Sequence, residues 1–354
     1  MDWLPDGVSL RMATADEIAD ASLQRFDYTK LTAINTCPTW GILRYSMHKA
    51  MPGGGRAMAL EAGKTLHEAF AALRLAQLGY VQGYKAHMDY QGERQFGEDR
   101  WRYIRDTENP ADVSITIRNM ALEALNTANY VDDPFDKRRT FVNLETSLLY
   151  YIQRWDAQRY PIWLSNPDDP TTLTGVEIPF AVHVQFPDRP AFLYTGRIDG
   201  LHVNAPGDLI IGENKTASRL DDAWRLSFEM SHQVTGYCVT ASLLSGMNVS
   251  RAQVTGLSIP LPRTMSDGLA IEQVRRYDYQ KVRWLDWLHY TTGVHNTYVD
   301  DILNAPKFTH SCNRYFRPCS FIPFCCADEQ EQRHILTELV DDEWSPLHDA
   351  KGTD

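Results

Sequence analysis

The sequence predicts an α/β fold from three observations. The stretch YTGRIDGLHVNAPGDLIIGENKT, Tyr194 to Thr216, reads as two strands joined by a turn. Helical patterns flank it, from Ala59 to Leu78 before and from Ala223 to Met247 after. Two more short apolar runs, Thr174 to Val184 and Arg251 to Pro260, read as further strands.

The chain has 354 residues, enough for one large domain or two ordinary ones, and 43% of them are hydrophobic. Nine Trp, seventeen Tyr and thirteen Phe argue against disorder. No apolar run is long enough to span a bilayer, and the first twenty residues lack a basic-then-apolar signal pattern, so a cytoplasmic protein without a membrane partner is expected. The net charge of −11 argues against a strong non-specific grip on duplex DNA. Much of the excess sits in the acidic stretch Thr337 to Asp354.

In chain order, residues 1–25 read as a helical lead-in. Thr29 or Thr32 is placed to cap a helix holding Leu31, Ile34, Trp40, Ile42 and Leu43, with Cys37 inside or just before it. Gly53 to Gly55 form a break, and His67 lies on the helix that follows. Residues 80–170 read as an insertion with a helical pattern from Ala111 to Tyr130 and an amphipathic helix from Phe141 to Arg159. Within it Arg100, Trp101, Arg102, Tyr103 and Arg105 are suited to gripping a single strand, although such a run more often marks a helix with snorkelling arginines. Glu177 falls in the strand at 174–184.

The central hairpin carries the chemistry. Glu213 and Lys215 are two apart, so on a strand they share a face, and pairing brings Asp199 beside them. Two carboxylates that close repel each other unless a cation lies between them; hard oxygen ligands suit Mg²⁺ or Mn²⁺. The lysine is placed to stabilise charge developing on a phosphate. In the next helix Gln233 and Tyr237, four apart, share a face. Gln273 to Leu303 reads as a long helix rich in Trp and Tyr.

Four of the six cysteines fall in CNRYFRPCSFIPFCC, with Cys37 far upstream. Clustered cysteines in a cytosolic chain are more often metal ligands than disulfides. Cys37, Cys312, Cys319 and Cys325 would supply the four thiolates of a [4Fe–4S] cluster or a structural zinc. The adjacent pair leaves Cys325 or Cys326 open as the last ligand, and Cys238, inside an apolar helix, reads as a buried structural thiol.

The ordered set of Cys37, His67, Gly196-x-x-Asp199, Glu213-Asn214-Lys215, Gln233-x-x-x-Tyr237 and late cysteines resembles the PD-(D/E)XK nuclease superfamily. It is most similar to the RecB-like iron–sulfur branch, which includes AddB-type, CRISPR-adaptation and phage exonuclease relatives. The resemblance runs from Phe26 to Cys326 and leaves 80–170 unmatched; the interval from Cys312 to Cys319 is longer than the common C-x2-C of that branch. It implies a mixed central sheet flanked by helices, with a helical insertion and a C-terminal cysteine-rich staple. The corresponding segments are 1–79, the insertion at 80–170, a nuclease core at 171–305, a cluster tail at 306–330 and an acidic tail at 331–354.

By the same resemblance His67, Asp199, Glu213 and the Asn214 carbonyl hold Mg²⁺ or Mn²⁺. An acidic residue in the Glu177 strand recurs near that metal. Asp199, Glu213 and Lys215 are implied as catalytic, Gln233 and Tyr237 as DNA contacts, and the four cysteines as ligands of a structural [4Fe–4S] cluster. The expected function is a metal-dependent exonuclease on single-stranded DNA or DNA ends, acting in recombination, repair or phage DNA metabolism. Recombination or CRISPR-adaptation proteins are the implied partner class. No phosphate-loop motif of a helicase motor is present. Two alternatives stand beside this expectation: a non-catalytic DNA-end-binding or scaffold protein on the same fold, and a zinc staple in place of the cluster.

Overall fold

The computed structural model describes residues 3–52, 58–78, 113–154, 161–166, 173–205, 207–314 and 317–342. The elements are β1 (Ser9–Met12), α1 (Ala15–Ala19), β2 (Arg25–Asp27), α2 (Tyr28–Thr36), α3 (Pro38–Gly41), β3 (Lys49–Ala50), α4 (Met58–Ala76), α5 (Val113–Thr127) and α6 (Phe141–Ile152). They continue with β4 (Val176–Gln185), β5 (Phe192–Ala205), β6 (Asp208–Ala217), α7 (Asp222–Leu226), α8 (His232–Ser245), β7 (Arg251–Ser258) and β8 (Leu269–Arg275). The last are α9 (Asp278–Tyr298), β9 (Asn313–Arg314), β10 (Arg317–Pro318), α10 (Ile322–Cys326), α11 (Glu329–Glu338) and β11 (Val340–Asp341). The fold is mixed α/β, with a mostly antiparallel central sheet flanked by helices. No helix among the described residues is long and apolar enough to cross a membrane.

Two compact units divide the chain. Unit 1 takes residues 1–55, 179–197 and 278–354; unit 2 takes 56–178 and 198–277. Strands β4 and β5 each run through both units.

In unit 2 the strand order is β5, β6, β7, β8. β5 and β6 pair antiparallel with Gly200 opposite Gly212, whereas β6 and β7 are parallel. Parallel neighbours require a crossover, and helix α8 supplies it. Leu209 to Asn214 of β6 are buried without alternation, as expected of a strand covered on both faces. Helix α4 packs on α5 and α6. Leu66, Phe70 and Leu73 join Ile117, Met120, Leu125, Leu144 and Leu148 in one core. The described helices of the 80–170 segment are therefore part of the unit 2 core. They are bound to it by burial of side chains each stabilised by about 1.5–3 kcal/mol on leaving water. Gly53 to Gly55 and the Arg100–Arg105 run lie outside the described residues.

In unit 1, β1 pairs antiparallel with β4 and β2 pairs parallel with β5. Asp27 caps α2 by accepting from the Thr29 and Lys30 N–H groups, the part expected of Thr29 or Thr32. Cys37 ends α2, and Pro38 opens α3, where its missing N–H costs nothing. Thr39 donates to the Ala305 and Pro306 carbonyls, Arg44 pairs with Asp342, and β3 pairs with β11, so the early helices are tied to the late chain.

Three local expectations are corrected. Residues 1–25 contain strand β1 as well as the short α1, because Ser9–Met12 has β4 as a partner. The helix expected from Ala223 to Met247 is broken at 227–231, where the Ser231 side chain accepts from the Val234 N–H and caps α8 afresh. Its end at Gly246 is a left-handed cap, φ 69°. The helix expected from Gln273 starts only at Asp278, because 269–275 pairs with β7 as an edge strand, burying Ala270 and Val274.

Candidate functional site

The unit 2 site grows from the β5–β6 register. One residue before Gly200 on β5 and one after Gly212 on β6 come Asp199 and Glu213, opposite each other. Asp199 Oδ2 accepts the Asn214 main-chain N–H at 2.8 Å, which fixes the carboxylate against β6. Lys215, two residues on from Glu213, reaches back to Glu213 Oε1 at 2.5 Å. Helix α4 brings His67 Nδ1 to 3.4 Å from Asp199 Oδ1 and to 4.0 Å from Glu177 Oε1. Ligand atoms of His67, Glu177 and Asp199 all lie within 4.8 Å of one another, a spacing one metal ion could span. Glu177 holds this place with φ 46°, a left-handed backbone that a glutamate adopts at a cost of order 1–3 kcal/mol.

The charges are balanced by protein cations. Burial works against a charged His67, but Asp199 and Glu177 outweigh it and raise the imidazole to about 9. Burial likewise raises the Asp199 carboxyl, yet His67, Lys215 and Arg74 hold it well below the ordinary range. Glu213, 1% exposed, goes the other way: burial and then the Asp199 charge push it to about 7 against the pull of Lys215. Its Oε2 is buried with no hydrogen-bond partner among the described residues. A buried carboxylate oxygen left open beside a His/Glu/Asp trio is the donor chemistry of a hard divalent cation.

The residues expected from the sequence thus fall into two groups. His67 and Asp199 belong to the trio together with Glu177, whereas Glu213 stands next to it, tied to Lys215. Asn214 gives Asp199 its N–H; its side-chain amide satisfies both neighbours when Oδ1 accepts from Arg74 Nη2 at 2.9 Å and Nδ2 donates to the Tyr151 hydroxyl at 3.2 Å. Gln233 Nε2 donates to Tyr237 Oη at 2.9 Å, so the two side chains meet on α8, which packs against β6 and β7. Arg276, buried, donates to Thr235 Oγ1 at 2.8 Å and to the Phe228 carbonyl and so anchors the start of that helix.

Arg74 and Tyr151 were not anticipated. Arg74 stands seven residues after His67, two helical turns along the same face, and that spacing was the available signal. Tyr151 comes from a helix whose place in the site no sequence pattern marks.

Unit 1 gathers the sulfurs. Cys37, Cys312, Cys319 and Cys325 line a cavity of about 170 Å³ with Trp40, Phe308 and Phe321, while Cys326 is exposed and does not line it. No disulfide joins any of the six cysteines. The Cys319 N–H donates to the Cys312 carbonyl at 2.7 Å, closing the loop that carries both. Burial, then the neighbouring Cys37, Cys319 and Cys312, pushes the Cys325 thiol up to about 11, with Lys307 opposing. Among the described residues no three of these sulfurs lie mutually within 4.8 Å, the limit that the His67 trio meets. Cys238 is fully buried in α8, as expected of a structural thiol.

No family model matches this chain, and no curated protein matches it.

Proposed function

We propose that the chain is a metal-dependent DNA nuclease of the PD-(D/E)XK type, with a RecB-like core and a structural iron–sulfur cluster. The observation that carries this reading is the convergence of His67, Glu177 and Asp199 within 4.8 Å beside the Glu213–Lys215 pair. Asp199, Glu177 and His67 would hold Mg²⁺ or Mn²⁺, and the open Glu213 Oε2 would complete the donor set. When bound, such an ion acts as a Lewis acid toward a phosphodiester and lowers the pKa of its water.

The chain's own residues do the rest. Lys215, partly exposed, presents an ammonium to charge developing on the scissile phosphate. The Asn214 N–H keeps Asp199 oriented. Gln233 and Tyr237, joined on α8, would orient the strand. The expected substrate is single-stranded DNA or a DNA end, in recombination, repair or phage DNA metabolism.

For the cysteines, the cavity of about 170 Å³ that Cys37, Cys312, Cys319 and Cys325 line is in keeping with an inorganic core held by four thiolates, a lone zinc being the alternative. Cys325, on the cavity wall, is the fourth ligand in preference to Cys326.

The test is metal and visible-light analysis of anaerobically purified protein, then a Mn²⁺-dependent assay on labelled single-stranded DNA. About four irons per chain with cleavage support both halves. Zinc in place of iron replaces the cluster with a zinc staple. Iron with no cleavage of any DNA substrate overturns the enzyme reading in favour of a DNA-end-binding scaffold.

A further inference from the structure

We propose that unit 2 carries a second binding site, distinct from the carboxylate trio, for the phosphate group of a small molecule. A cavity of about 80 Å³, room for several waters, is lined by Arg74, Arg154, His202 and the Tyr151 ring and hydroxyl. Its apolar wall includes Ile210 and the exposed Ile271. Alternation along the strands turns its Arg74 and His202 side away from the His67, Glu177 and Asp199 trio, with Glu213 bordering both. Gly200, His202, Ile210 and Gly212 share one face of the β5–β6 pair, and Glu213 and Lys215 take the other. Glu213 is the one carboxylate residue among those lining the cavity, and its Oε1 is already paired with Lys215.

Arg74 is the principal indicator. It is 2% exposed, yet no carboxylate oxygen lies within 4 Å of its guanidinium among the described residues. Its acceptors are the Asn214 amide oxygen at 2.9 Å and the Gly212 carbonyl at a long 3.4 Å. Its Nε has no hydrogen-bond partner among the described residues. A guanidinium has five N–H donors, so a buried one with an open Nε retains capacity for a further acceptor, although its charge also acts on Asp199.

The backbone has made room for this arrangement. A Cβ on Gly200 would lie 2.9 Å from Arg74 Nε, and one on Gly212 would lie 2.6 Å from His202 Nε2. Two glycines facing each other across the strands let both side chains lie flat on the sheet. Arg154, exposed and stacked 3.5 Å above the Tyr150 ring, adds a second guanidinium. The guanidinium fork matches oxyanions, and two such groups around one cavity suit the double charge of a phosphate better than the single charge of a carboxylate. The apolar wall would take the carbon part of a phosphate ester.

The experiment is calorimetric titration of the full chain in EDTA at constant ionic strength, with inorganic phosphate and with 2′-deoxyadenosine 5′-monophosphate as probes. Binding of at least one probe is expected, weakened at least tenfold in Arg154→Gln and in His202→Phe and retained in Asp199→Ala. Tighter binding of the nucleotide assigns the site to a phosphate ester, and tighter binding of inorganic phosphate to the free ion. Arg154 is exposed, so its variant keeps the test decisive should changes at the buried His202 disturb folding. The proposal is overturned if neither probe binds wild type, if Arg154→Gln binds as wild type does, or if Asp199→Ala abolishes binding. Cleavage is not measured, so failure of this site and failure of the nuclease reading remain separate results.

Discussion

The two candidate centres solve the same problem in opposite ways. Each crowds together groups that repel when ionised, carboxylates in unit 2 and thiols in unit 1. In unit 2 the chain supplies its own counter-charges: His67 is held cationic by Asp199 and Glu177, Lys215 bonds Glu213, and Arg74 lies close by. In unit 1 the only positive group lining the cavity among the described residues is Lys307, and Cys325 is driven toward the neutral thiol. A carboxylate site with built-in cations can fold without a metal and exchange one. A thiol site without them becomes a set of thiolates only when a metal takes the protons' place. That difference fits the proposal of a working role for the first centre and a structural role for the second.

The largest expected effect breaks the unit 2 side alone. Asp199→Ala should lower Mn²⁺-dependent cleavage about 1000-fold, the scale of losing a transition-state electrostatic group, with unchanged circular dichroism and iron content. Cleavage at the wild-type rate would remove Asp199 from the site.

Next in size is the converse change. Cys319→Ala should lose its iron and melt at a lower temperature, because metal binding to a site formed only in the fold is folding free energy. Cys326→Ala, at an exposed position outside the cavity, should keep both. Equal iron content in wild type and Cys319→Ala would refute the ligand assignment.

A smaller effect tests the electrostatics. Glu213 is raised from 4.5 to about 7 in the metal-free fold, so the folded protein holds this proton more tightly than the unfolded chain does. Its contribution to stability is fully present below about pH 4.5 and is lost as pH rises through about 7. Melting temperatures of the metal-free protein between those values should fall with pH in wild type and fall less in Glu213→Gln. Parallel curves would show that Glu213 is not the titrating group. The smallest effect is at α8: Tyr237→Phe removes the 2.9 Å bond from Gln233 and should cost about 1 kcal/mol in denaturant unfolding.

Much of the site was legible because its signals are local. The two-residue spacing of Glu213 and Lys215 and the four-residue spacing of Gln233 and Tyr237 follow from strand and helix periods, and both pairs meet in space. Glu177 was marked only weakly, since nothing in its strand foretells a left-handed backbone that turns its side chain toward His67. The missed breaks have local causes as well. A fresh Ser231 cap split one helix, and an edge pairing with β7 claimed residues that read as the start of another.

By itself the sequence determined the α/β class, the central hairpin and the residue types gathered at the two candidate centres, because period and ligand type are properties of short stretches. Only the tertiary structure decided that Glu177 completes the trio, that Cys325 and not Cys326 faces the other sulfurs, and that Arg74 lies buried over two paired glycines. Those outcomes depend on strand register and helix docking between segments more than a hundred residues apart. Such placement is set by core packing over the whole unit, where no local pattern can record it.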